Sequence, residues 1–551
     1  MSPLHVVLLV GQGDKRLHVV LLVGQGDKRL HDTTPLFSWC LTQSQWLGRV
    51  LVGAIHLKGA SVKQEAGAVG HRGKYQRLLL LAAAALCCVV WANGLSAVHI
   101  DSHEKWLSDI QSCSVGNLKS NLYFLDSAEP IHTSEFVARR DNLARALHAT
   151  SVPAFVMEPG YTSQYYANLS QYDWEPWEPE ERPMLIIVQP QLSDSGEIVA
   201  RTSILAPAFE VGRVRMLGIP GFTEDDRVIG WEEHWDPYET FRKSELFAED
   251  GDVRLMMDEE IRDYIVRGLD RSGFKTVGLG GEVEAVRQVK SPQEVELLRA
   301  VNTGTVEASI DHANPGLEPG VTEDEVTRVL DNTMSAIGFT PFFDIVLFEE
   351  DGALPHGGFV TGSKLLNEDT MVVIDVGAHY LGYSSDICRS FFIPPRDNKN
   401  FWSLIPKWLL SSNTAAPTNS QAASSDPLHA EKLKVWHTVL EAQTASAKQF
   451  KPNATAASVD IAARRVITDA GYGEYFTHRV GHGIGIKAHE SPYLNKANVG
   501  TRLRAGMTFT SEPGIYVLNK FGVRHEDIFL VKESGEAEVL TGKRPTSPWE
   551  P

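Results

Sequence analysis

Five side chains of metal-binding type lie in the last third of this 551-residue chain. They are Asp375, Asp386, His482, Glu512 and Glu526. Four carboxylates and one imidazole form a hard, oxygen-rich set, which suits Mn²⁺ or a similar divalent ion better than a thiolate site would. An isolated carboxylate is usually solvated and a lone histidine is usually hydrogen-bonded. Four carboxylates in apolar contexts, however, would repel one another unless cations neutralised them, so the joint pattern predicts a site for two divalent ions.

The two aspartates stand eleven positions apart in the sequence. This spacing predicts adjacent antiparallel strands joined by a turn at Gly377–Tyr383, so that Asp375 and Asp386 face one cavity. Each could then hold one metal ion or bridge two. Cys388, two positions beyond Asp386, is interpreted as a small, buried hydrophobic residue.

The other three candidate ligands have sequence contexts that restrict the backbone. His482 lies between two glycines, where the missing side chains allow backbone and metal to approach closely. Glu512 follows a predicted buried strand at Met507–Ser511 and precedes a Pro-Gly turn. Glu526 follows a predicted hairpin through Asn519–Gly522 and completes the set.

Two regions of regular periodicity must position these residues. From Thr133 to about Lys290, amphipathic helices alternate with apolar runs, which predicts an α/β domain. Its predicted elements are a helix at Glu135–Ala149 and strands at Pro153–Met157, Met184–Val188 and Val277–Leu279. A capping box at Ser291–Glu294, with proline at the first helical position, begins a helix and a second domain. That domain is predicted to contain strands at Met371–Val376 and Met507–Ser511 and helices at Glu431–Phe450 and Val459–Ala470. Residues 394–425 interrupt it and are interpreted as a surface insertion loop or a gene-model artefact, with a functional lid as the alternative.

The N-terminal part of the chain is expected to be a leader. Leu4–Arg16 recurs immediately as Leu17–Arg29, and residues 1–77 lack sustained periodicity, which is typical of a disordered or doubtful segment. Residues 78–98 are uncharged, apolar and preceded by basic residues, which predicts a signal-anchor or a signal peptide. A buried Ala/Leu core helix is the alternative, and residues 99–132 are interpreted as a linker.

A membrane-targeting segment would place the catalytic domain in the lumen or outside the cell, either anchored by one membrane pass or secreted. The sequons at Asn168 and Asn453 would then be open to glycosylation.

The composition of the chain limits the classes of partner and of fold that it can have. With 70 acidic and 52 basic residues, the chain has a formal charge of −18, which argues against a nucleic-acid partner. Its five cysteines are too few for a disulfide framework, since three of them precede residue 100. A length of 551 residues indicates two or more domains.

The motifs together resemble those of the pita-bread metallopeptidases, family M24, which include Xaa-Pro aminopeptidases, prolidases and methionine aminopeptidases. The resemblance covers about Thr133–Gly542. It implies an α/β (α+β) fold in which a pita-bread catalytic domain with a curved antiparallel sheet, residues 291–545, follows a smaller α/β domain. Residues 133–290 resemble the creatinase/prolidase-type N-terminal domain, which methionine aminopeptidases lack, so the Xaa-Pro aminopeptidase and prolidase branch is the closer relative.

The resemblance also assigns further residues. The family's metal ligands run Asp, Asp, His, Glu, Glu, and the five candidates fill these positions. His356 matches a family histidine in a His-Gly context, His489 matches one that follows the ligand histidine, and Arg524 matches a substrate-contacting arginine. The implied cofactors are two divalent ions, Mn²⁺ first, with Co²⁺, Fe²⁺ or Zn²⁺ as alternatives, and the implied assembly is a homodimer. His525 departs from the pattern, which usually has an aliphatic residue there, and is expected to alter the pH dependence.

The mechanism implied by the resemblance is hydrolysis of the amide bond that precedes proline. A water or hydroxide bridging the two ions attacks the carbonyl carbon, and Glu512 accepts and passes on its proton. His489 and one ion stabilise the oxyanion, while His356 and Arg524 contact the substrate. Whether the enzyme is a dipeptidase or an aminopeptidase stays open, because that depends on the space beyond the scissile bond.

Two alternatives stay open. A non-peptide amide hydrolase or lyase could use the same fold, although metal-dependent sulfoniopropionate lyases carry an extra aspartate where Gly377 stands here. A non-catalytic pita-bread binding module is the other alternative, and the five intact ligands argue against it.

Overall fold

The computed structural model describes residues 4–13, 16–25, 103–174, 181–223, 225–247, 252–311, 317–393 and 426–551. The chain divides into two compact units, residues 1–95 and 96–551. In the first unit, strands β1 (Leu4–Gly13) and β2 (Arg16–Gln25) pair antiparallel. They belong to the two copies of the repeat, whose valine-rich runs favour extended backbone. The predicted insertion loop, residues 394–425, lies outside the described residues.

The membrane prediction is wrong. In the part of the chain that the structure describes, no helix is both long enough and apolar enough to cross a membrane. The longest described helix, Pro427–Ala447, carries the charged residues Glu431, Lys432, Lys434 and Glu441 within its 21 positions. This contradicts the predicted membrane-targeting segment and the lumenal or extracellular location. Residues 78–98 themselves lie outside the described residues. An apolar Ala/Leu run such as this one can meet a hydropathy criterion without forming a helix that spans a membrane. The predicted glycosylation of Asn168 and Asn453 depended on that location and loses its basis.

The second unit begins with helix α1, residues 103–119, within the stretch interpreted as a linker. Ile110 and Leu118 are buried in an apolar cluster with residues such as Leu298 and Leu330. The Gln111 side chain also donates to Thr333 Oγ1 at 3.0 Å. The helix is therefore packed onto the core formed by later residues.

A sheet of six strands follows, in the order β6-β5-β4-β3-β7-β8. Its strands are β3 (Ala154–Met157), β4 (Leu185–Leu192), β5 (Ile198–Pro207), β6 (Arg227–Trp231), β7 (Val253–Met257) and β8 (Phe274–Val277). Central strand β3 is buried on both faces, because Phe155 and Met157 join one apolar cluster while Ala154 and Val156 join the other. This pattern is typical of a strand covered by helices on both sides.

The helices of this region are short after the first. They are α2 (Thr133–Ala149), α3 (Tyr161–Ala167), α4 (Val211–Met216), α5 (Pro237–Arg242), α6 (Asp263–Arg271) and α7 (Gly281–Glu284). Helix α2 and the first two predicted strands are confirmed within a few residues. The third predicted strand is displaced, since β8 ends at Val277 and the glycine-rich residues 278–281 leave the sheet. The domain boundary near residue 290 stays a prediction.

Helix α8 (Pro292–Val306) begins as the capping box predicts. Ser291 Oγ accepts from the Glu294 backbone N–H at 3.2 Å, and Glu294 Oε2 accepts from the Ser291 N–H at 2.9 Å. These bonds satisfy two backbone donors at the helix start. The remaining helices are α9 (Glu323–Ser335), α10 (Pro427–Ala447) and α11 (Ala456–Asp469).

Two sheets and a hairpin carry the candidate ligands. The first sheet has β10 (Val372–Tyr380) between β9 (Thr340–Phe348) and β12 (Ile387–Phe391), with β11 (Tyr383–Ser384) at its end. The second runs β14 (Glu490–Leu494), β13 (Gly481–Gly483), β15 (Thr508–Ser511), β18 (Asp527–Leu530), β19 (Glu538–Val539). The hairpin pairs β16 (Gly514–Val517) with β17 (Phe521–Arg524).

The turn between the two aspartates is shorter than predicted. Strand β10 continues through Tyr380, and Tyr380 pairs directly with Tyr383. Only two residues, Leu381 and Gly382, connect them, and both have a positive φ. Such a turn matches the twist of antiparallel strands and lets β10 keep its pairing beyond Asp375.

Candidate active site

The first two ligands lie on paired strands, as the spacing predicts. Asp375 is in β10 opposite Cys388 of β12, and Asp386 immediately precedes β12. Helix α8 fixes the backbone at Asp386 through Asn302. The Asn302 Oδ1 atom accepts from the Asp386 backbone N–H at 3.2 Å, and its Nδ2 donates to Leu298 O at 2.8 Å. Cys388 is fully buried, which confirms its interpretation as a small hydrophobic residue.

His482 is brought deep into the site by its two glycine neighbours. A Cβ at Gly481 would meet Thr510 O at 2.2 Å, and one at Gly483 would meet Glu490 O at 2.8 Å. Only glycine allows these close approaches. The Nδ1 atom of His482 lies 3.1 Å from Gly483 O, and a carbonyl oxygen can only accept, so Nδ1 carries the proton. The Nε2 atom is left as a ligand atom.

The two glutamates approach from the second sheet and the chain beyond it. The Glu512 backbone N–H donates to Val480 O at 2.7 Å, and that of Glu526 donates to Cys388 O at 2.9 Å. Buried Arg389 donates to Glu526 O at 2.5 Å and to Asp527 Oδ1 at 2.6 Å. Backbone contacts therefore tie both glutamates to the strands that carry the other ligands.

The candidate ligand atoms form three overlapping groups, each with all its atoms within 4.8 Å of one another. The groups are Asp386, His482 and His489; His482, Glu512 and Glu526; and Asp375, Asp386 and Glu526. Two buried oxygens, Asp375 Oδ1 and Glu526 Oε1, receive no hydrogen bond from the described residues. Buried carboxylate oxygens without donors must be neutralised by a proton or by a cation. The residues therefore fit two divalent ions that share ligands.

The crowded carboxyls hold protons when no ion is bound. Burial, followed by the charges of Asp375 and Glu512, raises the pKa of Asp386 well above its usual range. Burial and Asp386 do the same to the pKa of Glu526. Burial raises the pKa of Glu512 to about 7, against the opposing charge of Arg524. Burial also holds the pKa of His482 well below its usual value, so the imidazole stays neutral and able to bind a metal.

These pKa shifts predict that stabilisation by metal grows with pH. A carboxyl whose pKa is raised by folding binds more protons in the native state, so the metal-free protein loses stability as the pH rises from about 4.5 to about 7, the range that Glu512 spans. Bound ions would replace these protons. We expect the increase in Tm on adding Mn²⁺ to be small at pH 5 and larger at pH 8. An equal increase in Tm at both pH values would contradict this.

The three remaining predicted residues lie around the five ligands. His489 Nε2 is 3.8 Å from Asp386 Oδ2, and the ring is half exposed. His356 is exposed and follows Pro355, whose carbonyl accepts from Arg524 Nη1 at 2.8 Å. Arg524 is buried and its Nη2 donates to Asp375 Oδ2. The structure thus brings all eight predicted site residues to one region, two of them on its open side.

Two site residues were missed by sequence reasoning. Tyr516 OH accepts from Arg524 Nη1 at 2.8 Å and lies 2.8 Å from His478 Nε2. His478 Nδ1 donates to Arg479 O at 2.7 Å, so Nε2 accepts the tyrosine proton. Burial lowers the pKa of His478 to about 3, which keeps this ring neutral. The available signals were a histidine four positions before His482 and a tyrosine four positions after Glu512.

His525 faces away from the metal ligands. Because side chains alternate along an extended chain, Arg524 and Glu526 point into the site while His525 packs against Trp436, with ring centroids 4.8 Å apart. The ring is fully buried, and burial holds its pKa well below the usual value. The sequence led us to expect that His525 alters the pH dependence. Among the described residues, however, its ring makes no contact with the metal ligands through which it could do so.

Comparisons with known proteins agree with this geometry. Residues 297–409 and 418–533 match the model of metallopeptidase family M24. An uncharacterized peptidase of Schizosaccharomyces pombe is 35% identical over 452 residues, covering 80% of this chain and 89% of that protein. The structure is similar to that of dipeptidase PepE from Mycobacterium ulcerans, with TM-score 0.60 and 26% identity over 76% of this chain and 98% of that one. It is also similar to that of an X-Pro aminopeptidase from Thermotoga maritima, with TM-score 0.54 and 25% identity over 74% of this chain and 98% of that one.

These likenesses confirm the fold class predicted from the sequence. A mixed α/β architecture with a pita-bread half is shared along nearly the whole length of the similar structures. The family match spans all five candidate ligands, from Asp375 to Glu526. The chain belongs to metallopeptidase family M24.

Proposed function

We propose that this protein is a dinuclear-metal hydrolase that cleaves Xaa-Pro peptide bonds, of the aminopeptidase P or prolidase type. The observation that carries the proposal is the set of three overlapping ligand groups beside the exposed ring of His356 and the half-exposed ring of His489. The structural similarity to the M. ulcerans dipeptidase and to the T. maritima X-Pro aminopeptidase supports the same class.

Two divalent ions, with Mn²⁺ the first choice, would supply an activated water molecule and polarise the scissile carbonyl. The five ligands Asp375, Asp386, His482, Glu512 and Glu526 would hold them. Glu512 is proposed as the proton acceptor, because a carboxylate beside the ions can take the proton of the activated water.

The remaining side chains would act on the substrate. His489 is proposed to donate a hydrogen bond to the developing oxyanion, and His356 to contact the substrate from the open side. Arg524 keeps its predicted place in substrate binding. Because its Nη atoms already hold Asp375, Tyr516 and the Pro355 carbonyl, it would also orient a ligand.

The lyase alternative is weakened at Gly377. A Cβ there would meet Phe343 Cε1 at 2.2 Å and Ser385 O at 2.8 Å. The second contact is with backbone, which cannot easily move. The extra aspartate of the metal-dependent lyases therefore has no room at this position.

Metal analysis and peptide hydrolysis on the full-length protein test the proposal. We expect about two Mn²⁺ ions per chain, and hydrolysis of Ala-Pro or Ala-Pro-Ala that a chelator removes and Mn²⁺ restores. Peptides with alanine in place of the proline serve as the matched control and should be poorer substrates. Full metal loading without cleavage of any Xaa-Pro peptide would reject the peptidase function and favour the non-catalytic alternative.

A further inference from the structure

Arg479 lies at the rim of the metal site and is not used by the mechanism described above. It follows His478 and precedes the strand that carries His482. Its guanidinium carbon lies 4.9 Å from the centroid of the Tyr493 ring. Tyr493 pairs with His482 across β13 and β14, and directly paired residues project from the same face of a sheet. Arg479 is therefore held on the face of the sheet that carries His482.

The charge of Arg479 reaches the centre itself. Burial is the largest influence on the pKa of His489, and the charge of Arg479 comes next and lowers it further. The same charge opposes the burial-driven rise in the pKa of Asp386 and of Glu512. Arg479 thus acts on residues from all three ligand groups.

Among the described residues, Arg479 differs from the other arginines of the site in having no acidic partner. Arg524 is paired with Asp375, and Arg389 with Asp527. Within the described residues, no carboxylate oxygen lies within 4.0 Å of the Arg479 guanidinium, and its buried Nε–H donates to none of them. The aromatic ring beneath it orients the guanidinium without neutralising it.

The positive charge of Arg479 is therefore available to pair with a bound molecule. Arg524 already shares the Asp375 carboxylate through a direct hydrogen bond, whereas among the described residues no carboxylate lies beside Arg479. A guanidinium presents several N–H donors in a fixed plane, which matches the two oxygens of a carboxylate. A positively charged group at the rim would instead repel a substrate ammonium group. Because every linear peptide with a free C-terminus carries one main-chain carboxylate, the chemistry selects that end of the substrate.

We propose that Arg479 binds the C-terminal carboxylate of the substrate and thereby gives the enzyme a preference for dipeptides. This rests on the proposed Xaa-Pro hydrolase function. In a dipeptide the carboxylate belongs to the residue that follows the scissile bond, so an anchor at the rim of the metal site is within reach. In a longer peptide the same position carries an uncharged amide, which leaves the guanidinium unpaired.

The test compares Ala-Pro with Ala-Pro amide, which differ in the carboxylate alone, on the Mn²⁺-loaded full-length protein. Arg479→Met keeps the length and apolar stem of the side chain. We expect it to raise KM for Ala-Pro by about 10- to 100-fold, the loss that accompanies removal of one charge-assisted hydrogen-bonding group, with a smaller change in kcat. The kinetics of the amide should be unchanged. Arg479→Lys should restore part of the preference, because it keeps the charge and loses the planar fork.

Arg465→Met is the matched control, since Arg465 is exposed on α11 and is paired with Asp469. This substitution should leave the kinetics of both Ala-Pro and Ala-Pro amide unchanged. Equal effects of Arg479→Met on the dipeptide and the amide, with an unchanged Tm, would overturn the carboxylate assignment.

A binding measurement separates this inference from the proposed function. Calorimetry of proline and prolinamide with the Mn²⁺-loaded protein reports carboxylate binding without turnover. Tighter binding of proline that Arg479→Met removes would support the anchor even if no Xaa-Pro peptide were cleaved, in which case the hydrolase proposal alone would fail. Binding of proline that does not depend on Arg479 would overturn the inference.

Discussion

Replacing Glu512 with glutamine is expected to lower kcat on Ala-Pro by about 10²- to 10⁴-fold, the usual contribution of a positioned general base. Glutamine has nearly the same shape as glutamate but cannot accept a proton at neutral pH. The Glu512 carboxyl lies 3.4 Å from His482 Nε2 within one of the three ligand groups, so the substitution also removes a ligand charge. Steady-state kinetics at saturating Mn²⁺ measure the effect, and the bound metal is counted in the same preparation.

Two controls separate loss of catalysis from loss of folding. Glu474→Gln changes an exposed glutamate by the same atoms and should leave kcat unchanged. The metal-free Glu512→Gln protein should be at least as stable as the metal-free wild type at pH 8, because the substitution removes a buried group that must otherwise be charged or carry a proton. Unchanged turnover in Glu512→Gln would refute the role assigned to this residue.

Replacing Asp386 with asparagine is expected to reduce both metal content and activity. Asp386 belongs to two of the three ligand groups, so its loss affects both predicted metal positions. Removal of a group that merely supports a ligand typically costs about 10- to 100-fold in metal affinity or activity, and loss of a ligand should cost at least that much. Metal analysis after gel filtration should find at most about one Mn²⁺ per chain, since a two-ion site loses a shared ligand.

Asp344→Asn is the matched control for that substitution. Asp344 lies on β9 opposite Val376, the neighbour of Asp375, but it belongs to none of the ligand groups found among the described residues. Burial and the adjacent Asp331 carboxylate raise the pKa of Asp344 to about 9, so it is protonated at neutral pH. The Asp344→Asn variant should therefore keep the metal content and turnover of the wild type. Equal loss of metal in the Asp344 and Asp386 variants would show that the effect is not specific to the predicted ligands.

Much of the local structure could be predicted from the sequence. The Ser291 capping box begins helix α8 where the pattern predicts it, because its side-chain hydrogen bonds join residues three positions apart. The eleven-residue spacing of Asp375 and Asp386 places them correctly on paired strands, although the turn is shorter than predicted. The membrane prediction failed because it rested on the hydropathy of one run and the basic residues before it, without a packing constraint to test it.

The sequence by itself determined the types of the metal ligands, the glycines that let His482 approach the backbone, and the family to which the chain belongs. These features depend on residue identity and on neighbours within a few positions. Tertiary structure alone decided the hydrogen-bonded chain from Asp375 through Arg524 and Tyr516 to His478, the lack of room beside Gly377, and the outward direction of His525. It also decided that Arg479 stands beside the metal site without an acidic partner among the described residues. Periodicity shows which face of an element is apolar, but only the pairing of strands distant in sequence shows which polar groups meet, and therefore which charges are left for a substrate.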